Sequence, residues 1–164
     1  YYNPNIQPRE EYDKRLACQK DLLRKAFPEV ELMECSYDGE AFARASAGLE
    51  QEPEGGARCA VCFRLRLEET ARRAAAGGFD WFCTTLTVSP HKNAAVINAI
   101  GEALAAQHGV AWLPSDFKKR DGYRQSIALS HTYDLYRQDY CGCLFARQAQ
   151  KVSAATEAAQ EADQ

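Results

Sequence analysis

Apolar residues Tyr12, Leu16, Leu23 and Phe27 recur at helical spacing, which predicts an amphipathic helix over 9–27, opened by Pro8 and stopped by Pro28. The period then changes. Val30-Glu31-Leu32-Met33-Glu34-Cys35 alternates apolar and polar up to the turn-prone Asp38-Gly39, as a short strand does, and a short helix is expected over 40–47. Residues 57–76 lack Pro and Gly, are rich in helix formers and run into Gly77-Gly78, a helix with its stop. Residues 79–86 carry the aromatic and β-branched side chains of a strand. Ser89-Pro90 then reads as an N-cap and first-turn proline for a helix reaching about Gln107, ended by Gly109. A third short strand is predicted over 110–113, with helices over 122–131 and 144–160.

Strands alternating with helices predict an α/β fold, a small parallel sheet flanked by helices. Three strands make a small sheet, and Tyr1-Tyr2-Asn3-Pro4 reads as the exit of a strand, so a preceding strand and helix are expected. The pattern assigns one domain to 1–152. The Ala/Gln/Glu-rich stretch 153–164 has few large apolar residues and reads as a helical or disordered tail.

Composition narrows the class. With 46% hydrophobic and 26% charged residues in 164, the chain has the make-up of a soluble globular domain. It contains no apolar run long enough to span a bilayer and no signal-peptide pattern, so a cytoplasmic protein is expected. A net charge of −3 excludes nucleic-acid binding by bulk charge, leaving that role to local patches. Seven cysteines, an odd number, point to metal or redox chemistry and not to a closed disulfide framework.

Those cysteines are not equivalent. Cys18, Cys35 and Cys83 stand alone and read as packing residues. Cys59-Ala60-Val61-Cys62 puts two thiols on one face near a helix start, where the helix dipole is expected to favour thiolates for binding metal or attacking. Cys141-Gly142-Cys143 sets two further thiols around a glycine that permits a tight turn. Four thiolates would also satisfy a structural zinc ion, and spacing does not separate zinc from an iron–sulfur cluster.

Five strings in order carry a resemblance. They are Tyr2-Asn3-Pro4-Asn5-Ile6-Gln7-Pro8, the run from Gly55 to Leu67 around Cys59-Ala60-Val61-Cys62, Thr84-Thr85-Leu86-Thr87-Val88-Ser89-Pro90-His91-Lys92-Asn93, Asp116-Phe117-Lys118-Lys119, and the run from Leu135 to Cys143. Together they resemble the QueH family of epoxyqueuosine reductases across nearly the whole chain up to Cys143. The resemblance implies a Rossmann-like fold of the adenine nucleotide alpha hydrolase type. The activity it implies is the last step of queuosine formation, reduction of an epoxide on the modified wobble base of tRNA. It also implies a [4Fe-4S] cluster with Cys59 and Cys62 among its ligands, and a redox-active or second-iron role for Cys141 and Cys143. Family members have a Cys-Cys pair at the end of an N-terminal strand, and this sequence has none.

Removing an epoxide oxygen as water takes two electrons and two protons, which ordinary side chains other than thiols do not supply. A tRNA anticodon loop calls for basic and aromatic side chains at the cleft. Lys118, Lys119, Arg120, Tyr123, Arg124, Tyr136 and Arg137 provide them, and Ser89, His91 and Lys92 follow a predicted strand, where α/β sheets bind ligands. The expected partners are thus tRNA and an electron donor, with the protein itself a monomer. Two other readings are a zinc-binding, tRNA-interacting module and an ATP-dependent tRNA-modifying enzyme of similar fold; the latter needs a glycine-rich phosphate loop, absent from 1–164.

Overall fold

A computed structural model describes residues 1–148. Its elements in order are α1 (Arg9–Ala26), α2 (Gly39–Ala45), α3 (Ala57–Ala76), β1 (Trp81–Phe82), a 3₁₀ turn (Leu86–Val88), α4 (Ala94–His108), β2 (Ala111–Trp112) and α5 (Gly122–Thr132). A further helix begins at Leu144, and the predicted remainder of 144–160 and the tail 153–164 lie outside the described residues. None of the described helices is long and apolar enough to cross a membrane.

The fold is α/β, as predicted. β1 and β2 pair in parallel, Trp81 with Ala111 and Phe82 with Trp112, with α4 as the crossover. Their buried side chains Phe82 and Trp112 meet edge to face at 5.0 Å. Phe63, Leu67, Ala71 and Ala74 from α3 and Ile97 and Leu104 from α4 close over them as the main core, following the helical spacing of those positions. Gly101 belongs to this packing, since a Cβ there would lie 2.3 Å from the Trp112 indole.

Several local expectations are corrected. The alternating segment 30–35 is not a strand. Tyr1 donates to Met33 O, and Cys35 N–H donates to Tyr1 O at 3.4 Å; one such bridge does not make a ladder. The strands predicted over 79–86 and 110–113 shrink to two residues each, because the chain turns into the 3₁₀ segment after Phe82 and leaves the sheet at Leu113. Helix α4 starts at Ala94 and not at Pro90. Its N-cap is Asn93, whose Oδ1 accepts from the N–H groups of Ala95 (3.0 Å) and Val96 (3.3 Å), whereas Ser89 Oγ accepts from His91 N–H in the preceding turn. Gly109, left-handed at φ 69°, ends α4 as predicted.

A buried polar brace joins the segments that follow β1 and β2. Thr87 Oγ1 and Ser115 Oγ share a hydrogen bond of 3.0 Å. Asn98 Oδ1 accepts from Trp112 Nε1 and Ser115 N–H, both at 3.1 Å, and its Nδ2 donates to Ser115 O at 3.0 Å. The brace fixes the 3₁₀ turn that leads into residues 89–93 and the first turns of α4 against Ser115, and thereby one wall of the cavity described next.

Candidate active site

A cavity of about 680 Å³ opens between the start of α3, the loop after the 3₁₀ turn, the N-terminal segment and the 135–143 loop. Both cysteine pairs line it. Helix α3 supplies Cys59 and Cys62 from its first two turns, on the edge of the face that also carries Phe63 into the core. The N–H of Gly55 donates to Cys59 Sγ at 3.2 Å, the kind of backbone contact that stabilises a ligating thiolate. Cys62 departs from expectation. Burial raises its pKa, the reverse of the effect assigned to the helix dipole, because removal from water outweighs the partial charge of the helix start.

Cys141 and Cys143 behave as one unit. The Cys143 thiol donates to the Cys141 sulfur and draws the Cys141 pKa down from 9.0 to about 6, with help from the Lys92 ammonium. Cys143, buried and holding the shared proton, is pushed upward. Gly142 has φ +103°, which a side chain resists, and a Cβ there would lie 2.8 Å from Ile6. The Cys141–Cys143 turn is therefore seated directly on the N-terminal segment.

Lys92 is the cation that acts on Cys141. Burial works against its charge, but the hydrogen bond to Glu54 (2.8 Å) and the neighbouring Cys141 raise its pKa, so it stays an ammonium. Ser89, His91, Tyr123 and Arg137 also line the cavity, Arg137 donating to Ser130 Oγ at 2.8 Å. Lys118, Lys119 and Arg124 do not. Lys118 Nζ reaches Asp116 (2.7 Å) and Lys92 O (3.3 Å), so it props the loop behind Lys92, while Lys119 and Arg124 are exposed outside the cavity.

Among the described residues no three or more His, Cys, Asp or Glu side chains converge to hold a metal ion. The two pairs share a cavity without closing into the four-thiolate arrangement a structural zinc ion needs. Cys18 also lines the cavity, whereas Cys35 and Cys83 do not; Cys83 is exposed and not a packing residue.

Sequence reasoning missed Asn5, Arg15, Glu54, Arg58 and Arg66. Arg58 is 3% exposed and donates to Leu49 O and Glu50 O, and Arg66 donates to Asn3 Oδ1. Asn5, Arg58 and Arg66 did fall within the five strings; what no string reveals is that they face one cleft.

Fold and cavity together define an α/β protein with two cysteine pairs and a partly buried ammonium in one cleft. Residues 1–149 match the family model described as Epoxyqueuosine reductase QueH. Proteins of that name are similar over most of this chain. The Streptococcus pyogenes serotype M1 protein is 42% identical over 93% of the chain and 61% of its own length. The Staphylococcus epidermidis protein is 41% identical over 93% and 66%, and that of Thermotoga maritima 36% over 88% and 76%. The chain belongs to the QueH family. It spans less than two thirds of the length of the first two of these relatives.

Proposed function

We propose that the protein reduces epoxyqueuosine to queuosine in the wobble position of tRNA, in the cytoplasm where tRNA is modified. The observation that carries this reading is the meeting of both cysteine pairs and the Lys92 ammonium in one cavity, within a chain of the QueH family. Loss of an epoxide oxygen as water, leaving an alkene, consumes two electrons and two protons. Two thiols closing to a disulfide release that number of each. In this reading Cys141 is the thiolate that meets the substrate, Cys143 supplies one proton beside it, and the proton that Cys141 has already lost to solvent is returned by solvent as the oxygen leaves as water. Lys92 lies where negative charge grows as the C–O bond breaks, stabilising it electrostatically. An external electron donor then reopens the disulfide.

The donor set also fits part of a [4Fe-4S] cluster. Cys59 and Cys62 offer two thiols from one helical turn, with the Gly55 N–H already aimed at one sulfur. These two would supply two of the cluster's thiolate ligands, and the cluster would supply low-potential electrons and a Lewis-acidic iron. For tRNA, His91, Tyr123 and Arg137 at the rim suit phosphate and base contacts, and Lys119, Arg120 and Arg124 extend the basic surface beyond it.

The test is anaerobic iron and sulfide analysis beside turnover on epoxyqueuosine-containing tRNA. Cys59→Ala and Cys62→Ala should each lose the cluster and turnover, and Cys83→Ala should keep both. A full iron and sulfide complement in either of the first two variants removes the ligand assignment.

A further inference from the structure

Three successive carbonyls of the reactive turn are each held by a donor from the N-terminal part of the chain. Arg15 Nη2 donates to Tyr140 O at 3.0 Å, Asn5 Nδ2 to Cys141 O at 3.3 Å, and the Gln7 backbone N–H to Gly142 O at 2.9 Å. Arg15 is itself fixed. Its Nε bonds Glu11 at 2.7 Å, with side-chain exposures of only 9% and 13%, and Glu11 accepts from Tyr136 Oη at 3.1 Å. Asn5 is 3% exposed, and the Cys141 carbonyl defines which way its amide faces, since an oxygen there would repel.

We infer that Asn5, Arg15 and the Gln7 amide form a carbonyl clamp that holds Cys141-Gly142-Cys143 in its dithiol conformation and so sets the redox poise of the pair. This rests on the reading of Cys141 and Cys143 as a redox couple, and Asn5 and Arg15 act as positioning residues. The physical reason is conformational. The three bonds restrain the peptide planes between Tyr140 and Cys143, and a disulfide across one intervening residue needs a different, tighter backbone to bring the two sulfurs together. A clamp made in the dithiol state favours that state, making the disulfide easier to reduce.

The balanced exchange is direct: Cys141 and Cys143 lose two protons and two electrons to oxidised glutathione, giving one intramolecular disulfide and two reduced glutathiones. The experiment equilibrates the protein over a series of glutathione ratios, quenches with acid and maps the Cys141–Cys143 disulfide by mass spectrometry. The variants are Asn5→Leu and Arg15→Met, with Asp13→Asn, an exposed partner of Arg9 on α1, as control. Each clamp variant should shift the equilibrium about tenfold toward disulfide, which is about 30 mV, while the control stays at the wild-type value. Near-UV circular dichroism shows whether each variant is folded.

A measurement on the unaltered chain covers variants that fail to fold. Hydrogen exchange at the Gln7 amide should speed up at least tenfold when the pair is oxidised. Folded clamp variants with wild-type equilibria, or equal Gln7 protection in both redox states, overturn the clamp but leave the redox couple standing. Absence of any Cys141–Cys143 disulfide at every ratio removes the couple, and the clamp with it.

Discussion

The charge state of Cys141 can be tested by alkylation, in a form from which accessibility cancels. A thiol reacts with iodoacetamide as its thiolate, so the ratio of rates at pH 8 and pH 6 reports ionisation alone. Cys141, with its pKa drawn down to about 6 by the Cys143 thiol and Lys92, is about half ionised at pH 6 and almost fully at pH 8, which gives a ratio of about 2. An ordinary thiol of pKa about 8.5 gives a ratio of about 75. Cys83, an exposed residue whose thiol is partly desolvated and so raised in pKa, serves as the internal reference and should approach the limiting ratio of about 100 set by the two-unit change in pH. Cys143→Ala removes the thiol donor and should carry the Cys141 ratio up several-fold, toward the ordinary value. Peptide-level mass spectrometry reads each cysteine separately. A wild-type Cys141 ratio of several tens, or a Cys143→Ala variant still near 2, refutes the shared-proton description.

Other expectations concern the framework and the surface. Gly101→Ala gains about 1 kcal/mol of helix propensity but drives a Cβ to 2.3 Å from an indole that Asn98 holds in place, an overpacking cost of about 1–3 kcal/mol; urea denaturation should show net destabilisation, and a stabilised variant would contradict the packing. Asn98→Ala deletes three hydrogen bonds at about 1 kcal/mol each, so about 3 kcal/mol of stability should be lost, and a loss below about 1 kcal/mol would mean that the brace is dispensable. Lys119→Ala should lower the salt dependence of tRNA binding by about one phosphate contact without altering the melting temperature, whereas Lys118→Ala should also lower that temperature because its ammonium ties Asp116 to Lys92 O. Equal behaviour of the two lysines would argue against separate roles.

The helices were legible because their signals are local. Residues 57–76 became α3 with the bounds that the absence of Gly and Pro and the following glycine pair had set, and α1 ended within one residue of Phe27. Strands were harder, because a strand exists only through its partner. The alternation in 30–35 is real, yet no strand pairs with it, and β1 and β2 keep two residues each among the described residues. Ser89 and Asn93 both suit an N-cap, and only the backbone decides which one serves.

In the candidate site, the cysteine pairs and Lys92 were visible from motif and spacing. The opposite shift at Cys62 was not, because burial is a tertiary property. Lys118 reads as a phosphate contact in sequence, and the contacts of its ammonium with Asp116 and Lys92 O are tertiary and invisible there. The clamp residues Asn5 and Arg15 act on a loop 125 or more positions away, a relation that no local pattern carries.

Epoxyqueuosine-containing tRNA, incubated anaerobically with the protein and a low-potential reductant and then digested to nucleosides for mass spectrometry, measures the proposed reaction itself. The wild-type protein should convert epoxyqueuosine to queuosine with loss of one oxygen, and Cys141→Ser and Cys143→Ser should leave the epoxide untouched while still binding the tRNA. An unchanged epoxide with fully reduced, metal-loaded wild-type protein, or wild-type conversion by both serine variants, would contradict the assignment of this cavity as an epoxide-reducing site.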